Sequence, residues 1–148
     1  MPLSIIIGAQ WGDEGKGHIT DRLAQDAAVV ARYSGGDNAG HTITIGGEIF
    51  KLHLIPSGII HPGVVCLIGN GAVVNPAVLL REMDALAARG LDVGPARLRL
   101  SRAAHLITPG PQAHDRAHAQ ERGRGAIGPT LRGLGPAKEH LVDDQTGA

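Results

Sequence analysis

The sequence predicts an α/β fold with a mainly parallel sheet, phosphate-binding loops at the carboxyl edge of its strands, and a β-hairpin excursion. Three observations carry this. The run Leu3-Ser4-Ile5-Ile6-Ile7-Gly8 is apolar, rich in isoleucine and stopped by glycine, as a buried strand is. A glycine-bearing stretch, Gly8–Gly17, leads into apolar residues at helical spacing. A second apolar run, Ala28-Val29-Val30-Ala31-Arg32-Tyr33, then completes a strand–loop–helix–strand unit. A length of 148 residues fits a single domain over 1–148 and is enough to bury a real core.

The elements follow in order. In the first helix Ile19, Leu23, Ala24 and Ala27 mark one face, and Arg22, Gln25 and Asp26 the other. Residues 41–45 and 48–52 flank Gly46-Gly47, a two-residue hairpin signal. Residues 64–68 read as another buried strand, punctuated by Gly69-Asn70-Gly71. Pro76 suits the first turn of a helix over 77–89, with Leu79, Leu80, Met83, Leu86 and Ala87 at helical spacing and Gly90 as its stop. Short strands are expected at 97–100 and 106–107, a polar helix at 112–122, and a polar tail over 138–148.

Composition excludes several classes of function. Lys plus Arg number 14 and Asp plus Glu 14, so no strong charge draws the chain to nucleic acid or to a membrane surface. Trp11, Tyr33 and Phe50 are the only aromatic residues, too few for a base-stacking platform. The core must come from Ala, Val, Leu and Ile. Cys66 is the single cysteine, set among Val64, Val65, Leu67 and Ile68, and reads as a buried thiol. No apolar run approaches the ~18 residues of a membrane span, and residues 1–10 lack the basic start of a signal peptide. A reducing cytoplasm is the expected address. Residues 97–132 hold seven arginines against Asp115 and Glu121, which makes either a solvated surface or one facing an anion.

The most informative segment is Gln10-Trp11-Gly12-Asp13-Glu14-Gly15-Lys16-Gly17. Glycines between a strand and a helix let backbone N–H groups approach phosphate oxygens, and the helix N-terminus adds favourable partial charge. Lys16 supplies a full cation where a terminal phosphate would sit. The standard phosphate-loop spacing fails here, because Gly17 occupies the position that normally carries the magnesium-binding hydroxyl. Asp13, inside the loop, has the hard oxygen a magnesium ion needs. It is equally suited to act as a base toward an acidic N–H of a substrate. A second cluster, Gly35-Gly36-Asp37-Asn38-Ala39-Gly40-His41-Thr42, follows the second strand. Parallel strands would bring both loops to one sheet edge, where α/β ligands bind. Asn38 can donate to a phosphate or base, and His41 to developing negative charge.

At these two loops the sequence resembles the adenylosuccinate synthetase family, which joins IMP to aspartate at the expense of GTP. Residues 10–17 reproduce its first signature, residues 35–42 match its second loop, and Leu52-His53-Leu54-Ile55-Pro56-Ser57-Gly58 and Ile68-Gly69-Asn70-Gly71 also look like family segments. The match runs to about Ala137, the N-terminal part of the family's chain. The resemblance implies a P-loop-NTPase-like core and a two-step ligation in purine (AMP) biosynthesis. The aspartate matching Asp13 takes a proton from hypoxanthine, the 6-oxygen attacks the γ-phosphate of GTP, and aspartate's amine then displaces phosphate. The histidine matching His41 assists the transfer. Gly12, Asp13, Glu14, Gly15, Lys16, Gly17, Gly40, His41 and Thr42 would hold nucleotide phosphates. Asp13, Lys16, Asn38, Ala39, Gly40, His41 and Thr130 would contact IMP. Mg2+ would sit on Asp13 and the Gly40 carbonyl.

Several positions depart from the family pattern. His18 stands where lysine is usual, Pro129 replaces threonine, and Leu131 replaces glycine. Lys138 replaces tyrosine, Leu141 replaces lysine, and Asp144 stands where an arginine reaches the IMP phosphate of a neighbouring subunit. A carboxylate against that phosphate reverses the sign of the interaction, by about 1–4 kcal/mol at ~4 Å. The family's guanine- and aspartate-recognition segments lie beyond the matched part. The resemblance therefore implies a GTP-dependent ligase, incomplete by itself. The alternatives are a non-catalytic nucleotide-binding module, or one piece of a split synthetase completed by a missing C-terminal part. The family's homodimers make a homodimer the expected assembly.

Overall fold

The computed structural model describes residues 2–8, 15–38, 40–45 and 47–107. The helix expected at 112–122, the tail over 138–148, and Gly12, Asp13, Glu14, Ala39 and Thr130 lie outside the described residues.

The order of elements is α1 (Lys16–Ala24), β1 (Val29–Gly35), β2 (His41–Ile45), β3 (Glu48–Leu52), a 3-10 turn (Ser57–Ile60), β4 (Val65–Val74), α2 (Pro76–Ala87), β5 (Leu98–Leu100) and β6 (His105–Leu106). β4 is the central strand. It pairs in parallel with β1 on one flank, and on the other with β5 at its first half and β6 at its end. Between Ile68 and Val73 neither short strand is paired with it, and on the opposite flank the register with β1 slips between Arg32 and Ser34. The strand–helix–strand crossover is therefore realised by β4, α2 and β5. The hairpin β2–β3 forms a separate antiparallel pair, with Ile45 opposite Glu48 across the two-residue turn.

Two expectations are corrected. Residues 3–7 form no strand, and Leu3, Ile5 and Ile7 are 85%, 69% and 71% exposed. An apolar strand is stabilised when neighbours cover both its faces; β1 pairs only with β4 among the described residues, so the segment gains no such cover. Of the apolar face assigned to α1, only Ala24 is buried within the helix. Ile19 and Leu23 are each half exposed, whereas Asp21 and Ala24 are buried. Asp21 turns inward because its carboxylate lies 2.7 Å from His61 Nε2, a polar contact that outranks the apolar stripe.

α2 matches its sequence signals at both ends. Asn75 Oδ1 accepts from the N–H groups of Ala77 and Val78, Pro76 opens the first turn, and Gly90 has φ +79° just past the end. The core lies between the hairpin, the 3-10 turn and α2. Ile43, Phe50 and Leu52 meet Ile55, Ile59 and Ile60, with Cys66 and Leu86 completing the cluster. Phe50 carries the Arg89 guanidinium over its ring at 4.9 Å. The Cys66 thiol is fully buried, and burial pushes its pKa up to about 12. Arg97 braces the other side, donating to the carbonyls of Ile59, His61 and Val64 at 2.7–2.9 Å. No helix among the described residues is long and apolar enough to cross a membrane.

Candidate functional site

The site is built where the start of α1 meets the start of β2. Gly15, in the left-handed conformation at φ +78°, caps α1, and its carbonyl accepts from His18 and Ile19. Lys16 and Gly17 form the first helical positions. A Cβ placed on Gly17 would lie 2.5 Å from His41 Cβ and 3.0 Å from its Cγ. The helix and the imidazole therefore touch through a surface only glycine provides. This supplies a steric reason for the missing hydroxyl of the standard phosphate loop.

The two loops border one recess of ≈ 770 Å3. Gly15, Lys16 and Gly17 line it from α1; Asn38, Gly40, His41 and Thr42 line it from the second loop and β2; Gly8 also reaches it. The structure thus brings Gly15, Lys16 and Gly17 of the first cluster together with Gly35, Asn38, Gly40, His41 and Thr42 of the second, whereas Asp37 lines a different groove. A second, larger groove of ≈ 950 Å3 lies between β3 and α2.

His41 opens β2 and is half buried, with Nε2 shut off from solvent and without a hydrogen-bond partner among the described residues. Burial lowers its pKa to about 4, with Arg32 and His53 adding to the effect and a hydrogen bond to the Ile55 backbone opposing it. The ring is neutral at neutral pH. Unfolded, the same histidine titrates near its ordinary 6.5, so the unfolded chain binds more protons as pH falls from about 6.5 toward 4. Stability is expected to drop by up to ~3 kcal/mol across that window. Denaturant melts at about pH 7 and about pH 4.5 check this. The drop is expected to shrink in His41→Asn.

Behind the second loop lies a buried polar network. Arg32 donates to the carbonyls of His53, Gly36 and Ser34. Its own pKa is lowered by burial, against the attraction of Glu82 and Asp37. Glu82, on α2, accepts from the backbone N–H groups of His53, Leu54 and Ile55, the last two at 2.9 and 3.1 Å. Ser57 donates to the Gly17 carbonyl at 3.3 Å. Arg32, Glu82 and Ser57 escape sequence reasoning as site residues. Only Ser57 carried a signal, as part of the family-like segment 52–58; Arg32 and Glu82 carried none.

Gly40 presents exposed backbone at the recess, and with Asp13 it would give an all-oxygen donor set suited to a hard divalent cation. No three His, Cys, Asp or Glu side chains gather into a metal site among the described residues.

A parallel α/β sheet with a glycine–lysine helix start on a shared recess defines an α/β protein of the phosphate-loop type. The family model described as adenylosuccinate synthetase matches residues 5–146. The chain belongs to the adenylosuccinate synthetase family. It is 57% identical over 137 residues to the adenylosuccinate synthetase of Moorella thermoacetica, covering 93% of this chain and 32% of that protein. To the enzyme of Myxococcus xanthus it is 54% identical over 142 residues, covering 96% of this chain and 33% of that protein. A solved, fully ligated adenylosuccinate synthetase from Plasmodium falciparum superposes with a TM-score of 0.80 at 35% identity, covering 92% of this chain and 32% of that chain. The succinoaminodeoxyadenylate synthetase of cyanophage S-2L, bound to dGMP and dATP, superposes with a TM-score of 0.67 at 26% identity, covering 90% of this chain and 36% of that one. The chain thus spans about a third of the length of the curated relatives it matches.

Proposed function

We propose that this chain supplies the phosphate- and IMP-facing part of an adenylosuccinate synthetase, the GTP-dependent ligation of IMP and L-aspartate to adenylosuccinate, GDP and phosphate. The observation that supports this most directly is the apposition of Gly17 and His41, with Lys16 on the same recess. In this reading Asp13 takes the hypoxanthine proton. The freed 6-oxygen attacks the γ-phosphorus of GTP, the bond to the GDP oxygen breaks, and 6-phosphoryl-IMP forms. Aspartate's amine then displaces phosphate, a far better leaving group than oxide. Loop amides of residues 12–17, with Glu14 among them, and the Lys16 ammonium hold the charge that spreads over the transferring group. Thr42 and the Gly40 backbone extend that cradle, while Asn38, Ala39 and Thr130 orient IMP. His41 stays neutral until an anion enters; negative charge in the recess then offsets the burial that disfavours its proton, and Nε2–H can donate. Mg2+ would be held by Asp13 and the Gly40 carbonyl, and would neutralise phosphate charge when bound.

A second reading stands beside full ligation, a binding module or one piece of a split synthetase, because the recess gathers phosphate-facing residues of both loops by itself. A homodimer, or association with a separate C-terminal part, goes with either reading, as does a cytoplasmic address. A coupled assay with GTP, IMP, aspartate and Mg2+ tests ligation; no adenylosuccinate at high protein concentration leaves binding alone. Thermal shifts with IMP alone and GTP alone test binding, since a ligand of the folded state raises its melting temperature by mass action. Absence of any shift with either nucleotide would remove both readings.

A further inference from the structure

We propose that Glu82 is a positioning residue for the recess, fixing the turn 53–57 against which both loops are seated. Glu82 touches neither loop. It sits on α2, nearly buried, and its carboxylate gathers three consecutive backbone N–H groups, those of His53, Leu54 and Ile55. Three donors converging on one carboxylate define a single backbone shape, because each N–H must point inward at once. The ring of His53 adds a fourth contact, with Nδ1 3.3 Å from Glu82 Oε1.

The turn so held meets each loop separately. Toward the first loop, Ser57 Oγ donates to the Gly17 carbonyl. Toward the second, a Cβ on Gly40 would lie 3.1 Å from His53 Nε2, so the imidazole is packed against that glycine. Arg32 in turn ties the His53 carbonyl to that of Gly36, in the second loop. The distance between the two loops is therefore set by a third segment, which itself takes its shape from Glu82. Gly17 and His41 have no slack at their contact, so a small displacement of the turn separates them. The geometry stands by itself; its consequence for ligands rests on the proposed reading of the recess.

The test reads the through-space proton contact between Gly17 Hα and His41 Hβ by NMR, in the full labelled chain without ligand. The contact is expected in the unsubstituted chain, lost in Glu82→Ala, weakened in Ser57→Ala, and largely retained in Glu82→Gln, whose amide oxygen can still serve Leu54 and Ile55. Leu98→Ala, a packing change on β5, is the control: it lowers melting temperature and leaves the contact intact. Should Glu82→Ala not fold, Ser57→Ala decides, because it removes one hydrogen bond and little else. A contact at full strength in every Glu82 and Ser57 variant that folds overturns the proposal, and so does equal loss in Leu98→Ala. As a second arm, the dissociation constant for IMP is expected to rise about fivefold in Ser57→Ala. If the unsubstituted chain binds no IMP, the reading of the recess fails while the proton contact still judges Glu82.

Discussion

Substituting serine for Gly17, and so restoring the hydroxyl of a standard phosphate loop, is expected to destroy the recess instead of improving it. The added Cβ would lie 2.5 Å from His41 Cβ, inside any real carbon–carbon contact. His41 cannot yield by rotating its ring, because the clash begins at the atom attached to its backbone. Either α1 tilts away or the first residue of β2 moves. Overpacking of this kind costs about 1–3 kcal/mol, and the larger loss is geometric, since Lys16 and His41 no longer share one space. Melting temperature should fall by several degrees. IMP and GTP should lose all detectable effect on it. A Gly17→Ser chain that melts normally and still shifts with nucleotide would show that the two loops are not in contact.

The second large effect is expected at Gly71. A Cβ there would stand 2.5 Å from the Tyr33 carbonyl oxygen, a backbone atom of the neighbouring strand. The position coincides with the slip in register between β1 and β4, where Ser34 opposes Gly71. Side chains can swing aside; a ladder carbonyl can move only by parting the strands. Gly71→Ala is therefore expected to cost about 3 kcal/mol, lowering the melting temperature by roughly 10 °C. Gly47→Ala offers a comparison in open space: its Cβ would meet nothing within 4 Å, and only the positive φ of +86° opposes it. Equal melting temperatures for the two variants would contradict the steric account.

Local chemistry made much of this fold legible. Asn75-Pro76 and Gly90 bracket a helix whose ends need nothing from elsewhere in the chain, and Gly46-Gly47 specifies a hairpin by itself. The two glycine loops were readable for the same reason, as motifs whose chemistry is written in consecutive residues. The failures share a cause of the opposite kind. Glu82 looks like an ordinary polar residue on a helix, and its partners lie 27 to 29 residues away. Asp21 breaks an apolar stripe, and only its pairing with His61, 40 residues on, explains why it is buried while Ile19 and Leu23 are not. Residues 54–60 are buried without exception, although the segment has neither helical nor strand period. Leu3–Ile7 has the composition of an inner strand, but composition cannot supply the neighbour that would make it one.

The staggered flank of β4 has a mechanical meaning. Its first half is stapled to β5 and its last residues to β6, while the glycine-bearing middle has a partner only on the β1 side, where the ladder is out of step. A strand clamped at both ends and loosely held at its waist passes torsion poorly from one end to the other. A change at Gly35, which lines the recess, is therefore expected to reach the opposite end of the strand near Val65 only weakly.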